Sequence, residues 1–225
     1  MPSGWPSRFC CDEDLALLGY DGLGAEKDLA KWRGGKLYPA TQELIAVLQA
    51  EEVAGARLLD IGGGVGAVHI TLLESGAATA VDVDASREYL ATARAEAERR
   101  GLAGRVEYRY GDVVELAAEL PPADIVTLDS VICCYPYLPA LLRAAVLPGP
   151  RLVGLTYPRD VWWMRAYMRL YNLVHAVRRT GSRYFIYRHA RVNRLMNELG
   201  FTNVHEGGSR EWRVALYRRR TSAAG

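Results

Sequence analysis

Asp60, Gly62, Gly63, Gly64 and Gly66 fall within one seven-residue stretch, directly after Leu58-Leu59 and before a helical pattern over residues 67–74. A short apolar strand that ends in an acid and breaks into glycines is suited to holding a ligand close to the backbone. Glycine tolerates positive φ and carries no side chain to keep the ligand away. The helix behind the loop offers unpaired N–H groups and a positive dipole end to an anionic group. Some way on, Thr79-Ala80-Val81-Asp82-Val83-Asp84 is a second short, β-branched run that ends in acid. An acid about 20 residues past such a loop is placed to accept hydrogen bonds from ribose hydroxyls. Asp112 follows a third such run and Asp129 ends a fourth, and ligands of open α/β sheets gather at the carboxyl ends of strands. The chemistry indicated is capture of a nucleotide-like cofactor.

The spacing Asp60-x-Gly62-x-Gly64-x-Gly66 resembles the first motif of class I S-adenosylmethionine-dependent methyltransferases. Gly62-x-Gly64-x-x-Ala67 also satisfies a relaxed dinucleotide-binding fingerprint, so a dinucleotide-binding oxidoreductase is the alternative. Asp60 stands where a dinucleotide fold usually carries an apolar residue, and Gly66 fits the methyltransferase pattern better. Val83-Asp84-Ala85-Ser86, followed by Leu90, resembles the family's second motif. That implies Asp84, rather than Asp82, as the ribose ligand; in the other reading one of these acids caps the next helix. Asp112-Val113 match the place where the family carries an acid for the adenine amino group and a backbone N–H for a ring nitrogen. Gly111-Asp112 is also an ordinary turn dipeptide. The resemblance places Asp129 beside the transferred methyl group and implies S-adenosylmethionine as cofactor. It covers residues 55–157 well and the two ends poorly.

These residues need a sheet to hold them. The expected fold is α/β, a Rossmann-like seven-stranded sheet with an antiparallel terminal strand and helices on both faces. Strand patterns fall at residues 58–61, 79–84, 106–110, 123–129, 151–157, 202–206 and 212–218, the last two pairing across Gly207-Gly208. Helical patterns fall at 67–74, after the N-cap candidate Ser86, at 138–147 and at 191–199. Residues 1–54 read as an N-terminal helical cap with patterns at 12–18, 25–32 and 39–53, and residues 55–225 as the methyltransferase domain. In the family such helices often form a lid over the cofactor. Arg33, Lys36, Tyr38 and Thr41 are either reach-in contacts to a cofactor carboxylate or solvated loop residues.

An insert after strand five, residues 158–188, exceeds the minimal plan. Trp163, Tyr167, Leu170, Val174 and Val177 recur at helical spacing, with Arg165, Arg169, Asn172 and Arg179 on the other face. From Arg151 to Arg194 there are ten arginines and one acid, Asp160. The basic face is open to four readings: solvated surface, a lid over an acidic or aromatic substrate, an interfacial helix on anionic membrane, or a track for RNA phosphates. In the lid reading Tyr157, Arg159, Trp162, Trp163 and Tyr167 form the substrate pocket. Candidate bases for an acceptor that must lose a proton are Tyr135, His175 and His189; a lone helical histidine is as readily a surface or packed residue. His69, behind the glycine loop, reads as structural.

The segment around Cys133-Cys134-Tyr135-Pro136 faintly resembles magnesium-protoporphyrin O-methyltransferases, with Cys134 where that family has histidine. It is not the Asn-Pro-Pro-Tyr type of amino-methylating nucleic-acid enzymes, which favours a small-molecule acceptor. The four cysteines form the adjacent pairs Cys10-Cys11 and Cys133-Cys134. Without C-x-x-C spacing no metal site is expected; reduced thiols, or soft-metalloid binding as in arsenite methyltransferases, are the two readings. A net charge of +2 argues against a dedicated nucleic-acid binder. There is no run of 18 apolar residues and no signal pattern at the start, so a cytoplasmic protein without a membrane span is expected. A non-catalytic cofactor sensor is a further alternative.

Overall fold

The computed structural model describes residues 23–177 and 183–221. Cys10-Cys11, the helical pattern at 12–18 and Arg179 lie outside the described residues. Seven strands, β1 (Arg57–Ile61), β2 (Thr79–Asp84), β3 (Val106–Tyr110), β4 (Ile125–Asp129), β5 (Leu152–Pro158), β6 (Phe201–Gly208) and β7 (Trp212–Arg219), form one sheet. Its order is β3-β2-β1-β4-β5-β7-β6. All pairs are parallel except those made by β7, which runs antiparallel to both β5 and β6. The expected sheet with its antiparallel terminal strand is therefore present. Chain order reverses between β1 and β4, which makes their carboxyl ends the crevice where open sheets bind ligands.

Strands β1, β2, β4 and β5 are nearly continuous in burial because both sheet faces are covered. On one face pack α1 (Leu23–Arg33), α2 (Pro39–Gln49), α3 (Ala67–Glu74) and α4 (Arg87–Arg99); on the other α5 (Val113–Leu116), α6 (Leu138–Val146) and α8 (His189–Glu198). Each face has its own apolar core. Pro39 opens α2, where its missing N–H costs nothing. Leu44 and Leu48 of α2 are fully buried against Gly154 of β5, where a Cβ would stand 2.7 Å from Leu44 Cδ1. α2 can lie this close to the sheet only because residue 154 is glycine.

The most densely bonded tie between α1 and α4 is a carboxylate, beside the Tyr89 hydroxyl on Asp28. Glu96 is buried and accepts hydrogen bonds from Arg99 (2.7 and 2.8 Å), Arg33 (2.6 and 3.1 Å) and Arg100 (2.7 Å). The Arg99 guanidinium first, then Arg33 and Arg100, hold its carboxyl far below the usual range against the opposing cost of burial.

Most boundaries shift by one or two residues from the sequence expectation, and two of the differences have a visible cause. The pattern at 39–53 ends as helix at Gln49, because Gly55 at φ 73° turns the chain, with the Ala56 N–H bonded back to Val53 O, to enter β1. The hairpin expected across Gly207-Gly208 turns instead after Gly208. Ser209 Oγ accepts the N–H groups of Glu211 and Trp212, so a serine side chain closes the turn and β6 gains two residues at that end. β6, the edge strand, also carries a register slip between Asn203 and His205.

Candidate functional site

Gly62, Gly64 and Gly66 have φ of 65°, 57° and 83°, the left-handed region. Gly63 is glycine for a different reason. A Cβ there would stand 2.5 Å from Asp82 Oδ1 and 3.0 Å from Asp60 Oδ2, two carboxylates buried directly beneath the loop. Asp60 is fully buried. Its Oδ1 accepts from Thr127 Oγ1 at 2.6 Å, and its Oδ2 meets His69 Nδ1 at 2.9 Å. The structural reading of His69 thus gains a specific content: it joins α3 to β1 under the loop.

Asp82 is buried as well, and its carboxyl is pushed well above the usual range, by burial first and then by the neighbouring Asp60 and Asp84 charges. The sign of the consequence follows from linkage. Above the unfolded pKa of about 3.9 the unfolded chain gives up this proton while the folded chain keeps it, so Asp82 lowers stability increasingly as pH rises toward its folded pKa. Asp82→Asn is expected to gain stability relative to wild type between about pH 4 and neutrality. Denaturant midpoints measured across that range, with the gap constant or shrinking, would refute it.

Asp84 ends β2 beside the loop. Its Oδ2 accepts from Gly64 N at 3.1 Å and its Oδ1 from Ser86 N at 2.8 Å. Burial raises its carboxyl, opposed by the Ser86 and Gly64 N–H groups. Ser86 caps α4, with its side chain accepting from Tyr89 N, so neither Asp82 nor Asp84 is the N-cap residue. Asp112 is the N-cap of α5 and accepts from Val114 N at 2.8 Å. The Tyr135 hydroxyl donates to the same carboxylate, at 2.9 and 3.0 Å from its two oxygens. Val113, the first residue of α5, is buried behind it.

Asp129 ends β4 and is held by hydroxyls from two elements: Thr41 of α2 at 2.6 Å from Oδ2, and Thr156 of β5 on Oδ1. Burial raises its carboxyl, opposed by the Thr156 and Thr41 bonds. Ser130 follows at φ 64°, the only non-glycine residue with positive φ among the described residues, with its N–H on Thr156 Oγ1 at 2.8 Å. Thr41 therefore reaches the site, but through Asp129. Arg33 is committed to Glu96 and Tyr38 is exposed.

The remaining candidates do not converge on one cavity. Tyr157 points into the core beneath α8, its hydroxyl 2.7 Å from His189 Nδ1. His189 Nε2 lies 3.2 Å from Glu206. Burial, then the Arg213 and Arg159 charges, lower the imidazole pKa. A neutral ring that donates from Nε2 to Glu206 and accepts the Tyr157 proton at Nδ1 satisfies all three groups. Arg159 spends its guanidinium on the carbonyls of Ser209, Gly207 and Trp212 (2.7, 2.8 and 3.3 Å), stapling the β6–β7 hairpin. His175 stacks on Tyr171 with ring centroids 4.0 Å apart. Trp162, Trp163 and Tyr167 lie on the exposed side of α7 (Trp162–Val177). In sequence these residues are near neighbours; the alternation of β5 and the turn of α7 point them in different directions.

Residues 58–146 match the family model described as a methyltransferase domain. Over 109 residues the chain is 34% identical to the release factor glutamine methyltransferase of Gloeobacter violaceus, covering 48% of this chain and 36% of that protein. Over 150 residues it is 34% identical to the ubiquinone biosynthesis O-methyltransferase of Xanthomonas euvesicatoria pv. vesicatoria, covering 64% and 58%. The chain thus spans about a third of the first of these relatives and somewhat more than half of the second. Among solved structures, magnesium protoporphyrin IX methyltransferase from Synechocystis PCC 6803, with bound SAH, superposes with a TM-score of 0.68 at 18% identity, over 93% of this chain and all of that one. At that identity the likeness is one of fold.

Proposed function

Because this chain carries a methyltransferase domain of the class I, S-adenosylmethionine-dependent type, we propose that it transfers the methyl group of S-adenosylmethionine to an oxygen or nitrogen of a small-molecule acceptor. The observation that carries the reading is the loop at the end of β1. Three left-handed glycines stand there with Asp84 anchored to the Gly64 N–H beside them. A Cβ on Gly64 would meet the Tyr89 ring at 3.8 Å, ordinary van der Waals contact, so no protein atom crowds the backbone there.

The residues present fit the cofactor. Asp84 has lone pairs left after two backbone bonds for ribose hydroxyls. Asp112 would receive the adenine amino group and the Val113 N–H a ring nitrogen, with the Tyr135 hydroxyl steadying the Asp112 carboxylate. Asp60 holds the loop from beneath rather than touching the ligand. The cofactor, once bound, supplies a methyl group on a positive sulfur that leaves as a neutral thioether. The protein's part is to align and dehydrate the two partners. Asp129, fixed by Thr41 and Thr156, contributes a positioned carboxylate at the end of β4, next to the methyl position that the family resemblance implies. His189 has both ring nitrogens occupied, Nδ1 by the Tyr157 hydroxyl and Nε2 by Glu206, so it ties β5 to β6 rather than serving as the base.

The small-molecule reading draws on the absence of the Asn-Pro-Pro-Tyr segment and on the likeness to a ubiquinone biosynthesis O-methyltransferase. A chain with Cys134 at the protoporphyrin-family histidine position carries no porphyrin assignment. Calorimetric titration should show binding of S-adenosylhomocysteine and none of NAD; the reverse would return the chain to the oxidoreductases. Labelled methyl groups should then appear on a component of a fractionated metabolite extract. Cofactor binding without any turnover would make the domain a sensor. Asp84→Ala should weaken S-adenosylhomocysteine binding by about 1.5–3 kcal/mol, the range for hydrogen bonds to a charged group, and Asp82→Asn far less. The opposite ranking would move the ribose contact to Asp82.

A further inference from the structure

The outward arc of α7 is made of apolar residues alone. At 3.6 residues per turn, Trp162, Leu173, Val177, Leu170, Trp163 and Tyr167 follow one another around about 140° of the helix. None of these is buried: Trp162 is 79% exposed, and Leu170 and Leu173 are 61% each. Met164 is the helix's one buried residue. On a helix that only had to cover the core, the apolar stripe would face inward. Along one flank of the arc stand Arg165 and Arg169, and the helix has no acid. The nearest one, Asp160, is already paired with Arg165 and Arg188.

We propose that α7 is an interfacial anchor that seats the molecule on an anionic phospholipid bilayer. Apolar area with tryptophan at one end enters the acyl boundary, while the Arg169 guanidinium meets lipid phosphates. Charge decides between the occupants. A second copy would bring the same basic flank with no carboxylate on the helix to answer Arg169, the arginine that Asp160 leaves unpaired, whereas a phosphate surface answers it. A nucleic acid would answer the arginines but leave the apolar arc in water. α7 begins four residues after the end of β5, at the carboxyl edge of the sheet where the candidate site lies. Docking through it therefore presents that edge to the membrane. No helix among the described residues is long and apolar enough to cross a bilayer, and an interfacial helix needs only to lie along it.

The test is vesicle co-sedimentation of the full chain, with phosphatidylcholine alone and mixed with phosphatidylglycerol. Binding is expected on the mixed vesicles, weakened by salt. Leu170→Glu with Leu173→Glu should cut the partition coefficient at least about tenfold while the affinity for S-adenosylhomocysteine, measured as the control for folding, stays at the wild-type value. Arg169→Glu should reduce binding to mixed vesicles about fivefold. Failure of the wild-type chain to bind mixed vesicles overturns the proposal, as does undiminished binding of the double variant. A dimer in solution that this variant dissolves would give the face to a second copy instead.

Discussion

Gly64→Val is expected to yield a folded protein that no longer binds S-adenosylhomocysteine measurably. Gly64 sits at φ 57°, a conformation that costs a non-glycine residue of order 1–3 kcal/mol, and more for a β-branched one. Strain of this size alone weakens binding by about 5- to 150-fold if the loop must hold its shape for the ligand. The valine methyls would also project from the loop beside the Tyr89 ring, whose Cδ1 is 3.8 Å from a Cβ at this position. That ordinary contact, with no buried atom closer, is why the fold should survive. Gly55 supplies the control. It has φ 73° and nothing within 4 Å of a Cβ, but lies before β1, at the other end of the strand. Gly55→Val should lose a similar amount of stability and keep full affinity. Retained affinity in Gly64→Val, with an unchanged circular dichroism spectrum, would show that the loop is not the ligand cradle.

The largest stability loss is expected at Glu96, far from the chemistry. Removing one partner of a buried ion pair typically costs about 3–5 kcal/mol, because the other charge is left stranded. Here Arg33 and Arg99 are 46% and 53% exposed and would rehydrate, so Glu96→Ala is expected to cost less, about 2–3 kcal/mol. The pH dependence has the opposite sign to that of Asp82. The carboxyl of Glu96 is depressed in the fold, so its contribution is complete above the unfolded pKa of about 4.3 and fades as pH falls below it. The gap between wild type and variant should therefore shrink below about pH 4. Chemical denaturation at neutral and acidic pH checks both. An unchanged midpoint at neutral pH would mean that other contacts, such as Tyr89 on Asp28, hold α1 to α4.

The cofactor half was legible because its constraints are local. A glycine forced to positive φ, an acid at the end of a β-branched run and a serine at Ser86 are each written in a few consecutive residues. β2, β3 and α3 accordingly have the bounds read from the sequence. What stayed hidden depends on contacts across the fold. Gly63 sits in the motif, but only packing shows Asp82 beneath it. Thr41 had no sequence signal tying it to Asp129, which is 88 positions away. Glu96 carries no sequence signal of its own, and its partner Arg33 arrives from α1, 63 positions away. Arg159 had the type and place of a carboxylate binder, yet the hairpin carbonyls take its guanidinium. The insert's periodicity revealed a helix and its apolar stripe, but no pattern in sequence says which way such a stripe faces.

The slip between Asn203 and His205 has a bearing on how this protein behaves when crowded. An open sheet ends in strands whose unpaired N–H and C=O groups invite another chain to add on, the first step toward fibrils. β6 is such an end, and an irregular register there spoils the template. Charge reinforces it. His205 Nε2 lies 3.0 Å from Glu43, and Glu206 pairs with Arg213, so a strand arriving at this edge meets ionic groups rather than a flat ladder. At the opposite border, β3 carries Glu107 paired with Arg109, and Arg87 lies over Tyr110. Amyloid-like growth would have to begin by undoing one of these guards. Concentrated stocks should accordingly stay free of thioflavin-positive material for as long as the β6–β7 hairpin remains closed.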